Sequence, residues 1–291
     1  MEAMTPTCIW PARALLGEAP VWHEAERRLY WLDIKGHRLR SCNAAGMDRG
    51  VTDLPCVAAS LVPRRGGGFV VGARGHVATC NPVNGKLGNL LALETDKPAN
   101  RFNDGKADGA GRLWIGSMHD PETEASGALY RVNPDLTWTR MDSGYVVTNG
   151  PAISPDGRTL YHTDSSARTI YAFDLAADGS LGNKRVFLRF AEDEGYPDGM
   201  TCDAGGRLWV AHWGGARVTC RNDDGTLRHT IALPTPFVTS CCFGGVGYNT
   251  LFITTASIGL APETRDGDPL AGGLFSLTPG VSGLPPAQFA G

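Results

Sequence analysis

LWIGSM, residues 113–118, is a short apolar run in which Leu precedes an aromatic residue, and related runs recur along the chain. They are LYWLDI (29–34), FVVG (69–72), LYHTDS (160–165), LWVAHW (208–213) and LFITTA (251–256). With Tyr30, Val70, Trp114, Tyr161, Trp209 and Phe252 as anchors, successive copies lie 40, 44, 47, 48 and 43 residues apart. Six units at this period are the mark of a propeller, whose repeats cannot bury a face alone and must stack on one another.

The flanks of the anchors supply the rest of each unit. DGAGR (108–112), SPDGR (154–158) and DAGGR (203–207) precede three of them, and Asp-Gly or Gly-Gly between strand-like runs is hairpin chemistry, because glycine accepts the positive φ of tight turns. Further strand-and-turn segments follow in ALYRVNPD (128–135), IYAFDLAADG (170–179) and VTCRNDDG (218–225). Each unit therefore holds three or four short antiparallel strands, and no stretch has the 3.6-residue apolar periodicity of a substantial helix. The expectation is an all-β, six-bladed β-propeller forming a single domain over residues 1–291. Its ring should close when the N-terminal run CIWPA (8–12) joins the last blade beside GGLFSLTPG (272–280).

Composition narrows the function classes. A net charge of −3 without a Lys/Arg-rich run argues against nucleic acid as a partner. No apolar stretch reaches eighteen residues, and MEAMTPTCIWPARALLGE at the start lacks the basic-then-apolar layout of a leader. A soluble, cytoplasmic monomer without membrane contact is expected. The 8 cysteines show no CxxC spacing, and they read as free thiols filling strand positions rather than as disulfides or zinc ligands.

Counting back 11 or 12 residues from the anchors reaches one shared position in the repeat. It is held by Glu18, Asn103, Asn149 and Asp198, with Ala59 and Ser240 in the remaining units. The first strand of each propeller blade lines the central channel, so these positions form one ring near its mouth. Taken singly, Asn149-Gly150 and Asp198-Gly199 are ordinary turn dipeptides, and Glu18 is an ordinary solvated carboxylate. Their coincidence in register favours a site instead. Carboxylate and amide oxygens without His or Cys suit a hard divalent ion, namely Ca²⁺, Mg²⁺ or Mn²⁺, with Fe²⁺ also open and zinc less suited. His119, in the loop after the third anchor strand, could face the same mouth or be a plain loop histidine.

The segments carrying these residues also resemble a known family. LGEAPVW (16–22), RFNDGKADGAGRLWIGSM (101–118), TNGPAISPDGRTLYHTDS (148–165) and YPDGMTCDAGGRLWVAHWGG (196–215) look like the signature segments of the gluconolactonase family, to which regucalcin and bacterial sugar-lactone lactonases belong. The resemblance runs in order over essentially the whole chain. It implies a six-bladed propeller with one divalent metal held by Glu18, Asn149 and Asp198, and a sugar lactone contacted by Arg101 and Asn103. It further implies Asp198 as general base, although a carboxylate on a dication is a weaker base and metal-bound hydroxide competes for the role. The family's acidic substrate contact after the third anchor has no clean match in SMHDPETEASG (117–127), where His119, Asp120 or Glu122 could replace it. MHD followed by SGALYR (126–131) is similar to pentonolactonases.

The function expected is thus metal-dependent hydrolysis of an aldonolactone, such as xylono-, arabinono- or gluconolactone, to its aldonic acid. A non-catalytic calcium-binding or docking propeller and an aryl-ester or organophosphate hydrolase remain as alternatives. No G-x-S-x-G elbow supports a serine acyl-enzyme.

Overall fold

The computed structural model describes residues 4–291; residues 1–3, the first part of the segment read for a leader, lie outside the described residues. The strands form six four-stranded antiparallel sheets. Five of these are built from consecutive strands, and the sixth joins Val238–Gly244, Thr250–Thr255 and Leu274–Leu277 to the N-terminal strand Thr7–Trp10. Cys8 pairs with Phe275 and Thr7 with Ser276, so the expected closure is present. Among the described residues the single α-helix is the short Pro262–Gly267. No helix among them is long and apolar enough to cross a membrane.

The first strands of the blades, Gly17–His23, Ala58–Pro63, Asn100–Ala107, Thr148–Ile153, Tyr196–Cys202 and Val238–Gly244, pack against one another in turn around a common axis. Apolar residues lie between the blades. Val21, Tyr30 and Leu32 of the first blade meet Ala58, Leu61 and Phe69 of the second, and Trp22 and Trp31 meet Cys242 and Phe252 across the closure. Every repeat anchor is buried, Trp114 and Phe252 completely. Burying a side chain of this size stabilises the fold by about 1.5–3 kcal/mol. All eight cysteines are free.

Two blades carry the same polar brace. The Asp108 carboxylate accepts hydrogen bonds from the Trp114 indole at 2.8 Å and the Arg112 guanidinium at 2.6 Å. Asp203 does the same for Trp209 at 2.9 Å and Arg207 at 2.7 Å. The other oxygen of each carboxylate accepts amides of its own hairpin turn, those of Ala110 and Arg112 or of Gly205 and Arg207. The pattern Asp-x3-Arg-x-Trp thus ties the hairpin to the anchor.

At the far end of the channel the last residues form a strap. Leu284, Pro285, Pro286 and Ala287 line a cavity of about 410 Å³ there. Beyond them Phe289 is fully buried and bridges to Arg64, while the Ala290 amide donates to the Gly111 carbonyl. The strap therefore leaves the sixth blade and ends on the second and third.

Removing the Asp203 carboxylate strands a buried indole N–H and a guanidinium, the costly side of a hydrogen-bond deletion. Asp203→Ala is expected to lose roughly 3 kcal/mol of stability in denaturant titration. Arg185→Ala, which breaks an exposed pair with Asp174, should lose less than about 1 kcal/mol.

Candidate functional site

The dipeptides that read as turns lie inside first strands. Asn149-Gly150 belongs to Thr148–Ile153 and Asp198-Gly199 to Tyr196–Cys202. What they mark is a bulge. In five blades the first strand gains one residue over its neighbour at this depth, between Glu18 and Val21, Ala59 and Val62, Phe102 and Gly105, Asn149 and Ala152, and Pro197 and Met200. Ala19, Ser60 and Gly150, each following a ring residue, take positive φ. Bulges re-aim side chains. In the sixth blade the extra residue comes earlier, between Val238 and Ser240. Gly199 serves packing, since a Cβ there would collide with the Ser240 side chain.

Above the bulges opens a cavity of about 540 Å³ whose lining includes Glu18, Arg101, Asn103, Glu122, Asn149 and Asp198. Six of the eight candidate site residues named from the sequence thus share one space. Ala59 and Ser240 are buried beside them. His119 does not line it. Its Nδ1 is turned back on its own loop, 3.3 Å from the Thr123 amide and 3.2 Å from the Glu124 amide, and it holds the loop that presents Glu122. Asp120 is also occupied, accepting from Arg101 Nε at 2.8 Å and from Arg74 at 2.6 Å. Burial works to raise the Asp120 carboxyl, but Arg101, Arg74 and Lys35 outweigh it and hold it at about 2.

A polar chain fixes the side chains. Arg101 Nη1 donates to Asn103 Oδ1 at 2.6 Å, and Asn103 Nδ2 donates to the Thr148 carbonyl and to Asn149 Oδ1. Asn149 Nδ2 donates to Ser165 Oγ at 2.9 Å, which donates in turn to the Pro197 carbonyl, one residue before Asp198. Ser165 thereby joins the fourth blade to the fifth. The repeat register did not mark it, because it stands on the second strand's exit rather than on the ring; its place at the end of LYHTDS was the available signal.

Charge is concentrated at the floor. Burial pushes the Glu18 carboxyl up to about 8, with Asp104 adding to the rise and the Ala19 amide, Arg101 and Lys106 opposing it. Burial, then Glu18 and Asp104, also push Asp198 upward. Asp104, which sequence reasoning passed over, is raised by burial to about 6. Its Oδ2 is buried with no hydrogen-bond partner. Among the described residues no three His, Cys, Asp or Glu side chains form a group able by themselves to hold a metal. A cation would therefore need the Asn149 amide oxygen beside Glu18 and Asp198. The residues fit a hard divalent ion on that basis, with oxygen donors, mutually repelling buried carboxylates and an orphaned carboxylate oxygen close by.

A family model described as SMP-30/Gluconolactonase/LRE-like region matches residues 16–257. Regucalcin of Oryctolagus cuniculus is 35% identical over 301 residues, covering 100% of both chains. Among solved structures, a regucalcin from Agrobacterium tumefaciens described as a calcium-binding protein superposes with a TM-score of 0.93 at 27% identity, over 99% of this chain and 98% of its own. A gluconolactonase from Xanthomonas campestris gives 0.77 at 25% identity, over 93% and 88%.

A carboxyl whose folded pKa is raised holds its proton more tightly when folded, so its stabilising contribution is complete below the unfolded value and vanishes as pH rises through the folded one. For Glu18 that window runs from about 4.5 to about 8. In chelator, the melting temperature should fall between pH 5 and pH 8, and Glu18→Gln should flatten the fall and melt higher than wild type at pH 8.

Proposed function

This chain belongs to the SMP-30/gluconolactonase/LRE-like family, and we propose that it is a divalent-metal-dependent hydrolase that opens a sugar lactone to the aldonic acid. The observation that carries the reading is the gathering of Glu18, Asn149 and Asp198 in one cavity with Arg101 on its wall. The Agrobacterium relative's description as calcium-binding and the Xanthomonas relative's as a gluconolactonase both agree with it.

In this reading Glu18, Asn149 and Asp198 hold the ion, which supplies a Lewis acid for the lactone carbonyl when bound. Arg101 orients the substrate. Its Nε and Nη1 are committed to Asp120, Phe102 and Asn103, which leaves the N–H groups of Nη2 for a carbonyl or ring hydroxyl. Asn103 has both ends of its amide engaged by protein and steadies Arg101 and Asn149 as well as walling the substrate space. A guanidinium clamped in this way arrives oriented, and its binding energy goes into placing the ring.

Asp198 takes a proton from the attacking water as the new C–O bond forms at the carbonyl carbon. It returns that proton to the ring oxygen as the old C–O bond breaks, so one lactone and one water give one hydroxy acid. Glu122, on the exposed loop at the rim, faces the substrate hydroxyls. The MHD and SGALYR segments favour a five-carbon lactone, with gluconolactone next.

Proton release on adding a panel of aldonolactones to stripped protein, reconstituted with Ca²⁺, Mn²⁺, Mg²⁺ or Fe²⁺ in turn, tests the reading. At least one ion should accelerate opening of at least one lactone over buffer. If none does, the lactonase reading fails. At saturating ion, Asp198→Asn is expected to lower kcat by about 100-fold or more, and near wild-type turnover would remove Asp198 as the base.

A further inference from the structure

Asp104 stands one residue past the ring, inside the bulge of Asn100–Ala107. Its Oδ1 accepts the Gly105 amide at 2.8 Å, and the amide of Gly150, directly after Asn149, works with it to offset the rise that burial imposes on the carboxyl. The side chain is only 6% exposed, and Oδ2 has no donor at all. A buried carboxylate oxygen without a partner is unfavourable, and it persists where a positive charge satisfies it in the working state.

Two residues further along, past the bulge, Lys106 pairs with Trp114 and lies toward the far end of the channel. Its ammonium lowers both Glu18 and Asp104. Lys106 lines the far cavity together with Val21, Val62, Ala152, Thr201 and Cys242, the ring one level below. Its ammonium makes no hydrogen bond or ion pair with any described residue, although its backbone pairs with Trp114. The channel thus carries Glu18 and Asp198 above, Asp104 at the waist and Lys106 beneath.

We propose that Asp104 is a further carboxylate of the cation site, closing it from below through Oδ2 directly or through one water, and that Lys106 is the opposing charge that limits its affinity. This rests on the metal-site reading above. Formal charge shows why both residues matter. With Arg101 neutralised by its pair with Asp120, Glu18, Asp104 and Asp198 against Lys106 leave two net negative charges before a dication enters and none after. Without Asp104 the same ion would leave one uncompensated positive charge in a low-dielectric channel. Without Lys106 the site would begin with three net negative charges and keep one after the ion enters.

Equilibrium dialysis of the stripped full chain against Mn²⁺ and Ca²⁺ reads the effect directly, without reference to turnover. Asp104→Asn keeps an oxygen for the Gly105 amide and is expected to weaken binding by tenfold or more. Lys106→Met is expected to tighten it by a similar factor, a gain that loss of structure would not produce. Unchanged Kd in a folded Asp104→Asn protein, judged by circular dichroism, overturns the proposal. So does unchanged or weaker binding in Lys106→Met, the arm that decides if Asp104→Asn fails to fold. Wild-type protein that binds neither ion below millimolar concentration would sink the metal-site reading itself, and this proposal with it.

Discussion

The pairing of Thr7–Trp10 with Leu274–Leu277 is the contact on which the rest of the molecule depends. An open array of six blades would leave the apolar faces of Trp22 and Phe252 in water, and their stacking across the closure exists only because the ring is shut. The site depends on the same contact. Glu18 comes from the first blade and Asp198 from the fifth, and the sixth blade between them is held to the first by Thr239 donating to the Gly17 carbonyl and by the bridge from Leu16 to Ala256. A latch at the circumference therefore sets distances at the axis.

The architecture was legible in the sequence because a propeller writes its geometry as a period. Trp114 and Trp209 are equivalent in space because they are equivalent in the repeat, and their braces repeat as well, as DGAGRLW and DAGGRLW. Ring membership followed by counting residues, since first strands at matching depth surround one axis. Counting could not see the bulge, an offset defined by the neighbouring strand. For that reason Asn149-Gly150 and Asp198-Gly199 resembled turns, and Asp104 was overlooked although it is adjacent to Asn103. His119 and Ser165 illustrate a second limit, because side-chain direction at a strand's end depends on the loop it enters. His119 is turned into its loop, whereas Ser165 reaches across to the next blade.

The floor of the mouth is built against its own stability. Burial raises Glu18, Asp104 and Asp198 together, and no described cation pairs directly with any of the three. Arg101, the nearest guanidinium on the wall, is instead anchored outward to Asp120 and inward to Asn103. Strain of this kind is characteristic of sites that carry out work, where an arrangement unfavourable alone becomes favourable with its ligand.

The strap of residues 284–290 gives the channel a direction. It flanks the far cavity, and the mouth and far cavities share no lining residue, with Asp104 and Lys106 on the strand that runs between them. The propeller's axis therefore carries two separately lined spaces, an acidic one at the mouth and a largely apolar one beside the strap. In the proposed function a lactone and the acid formed from it would occupy the mouth cavity in turn, each excluding the other from the space beside Glu18 and Asp198.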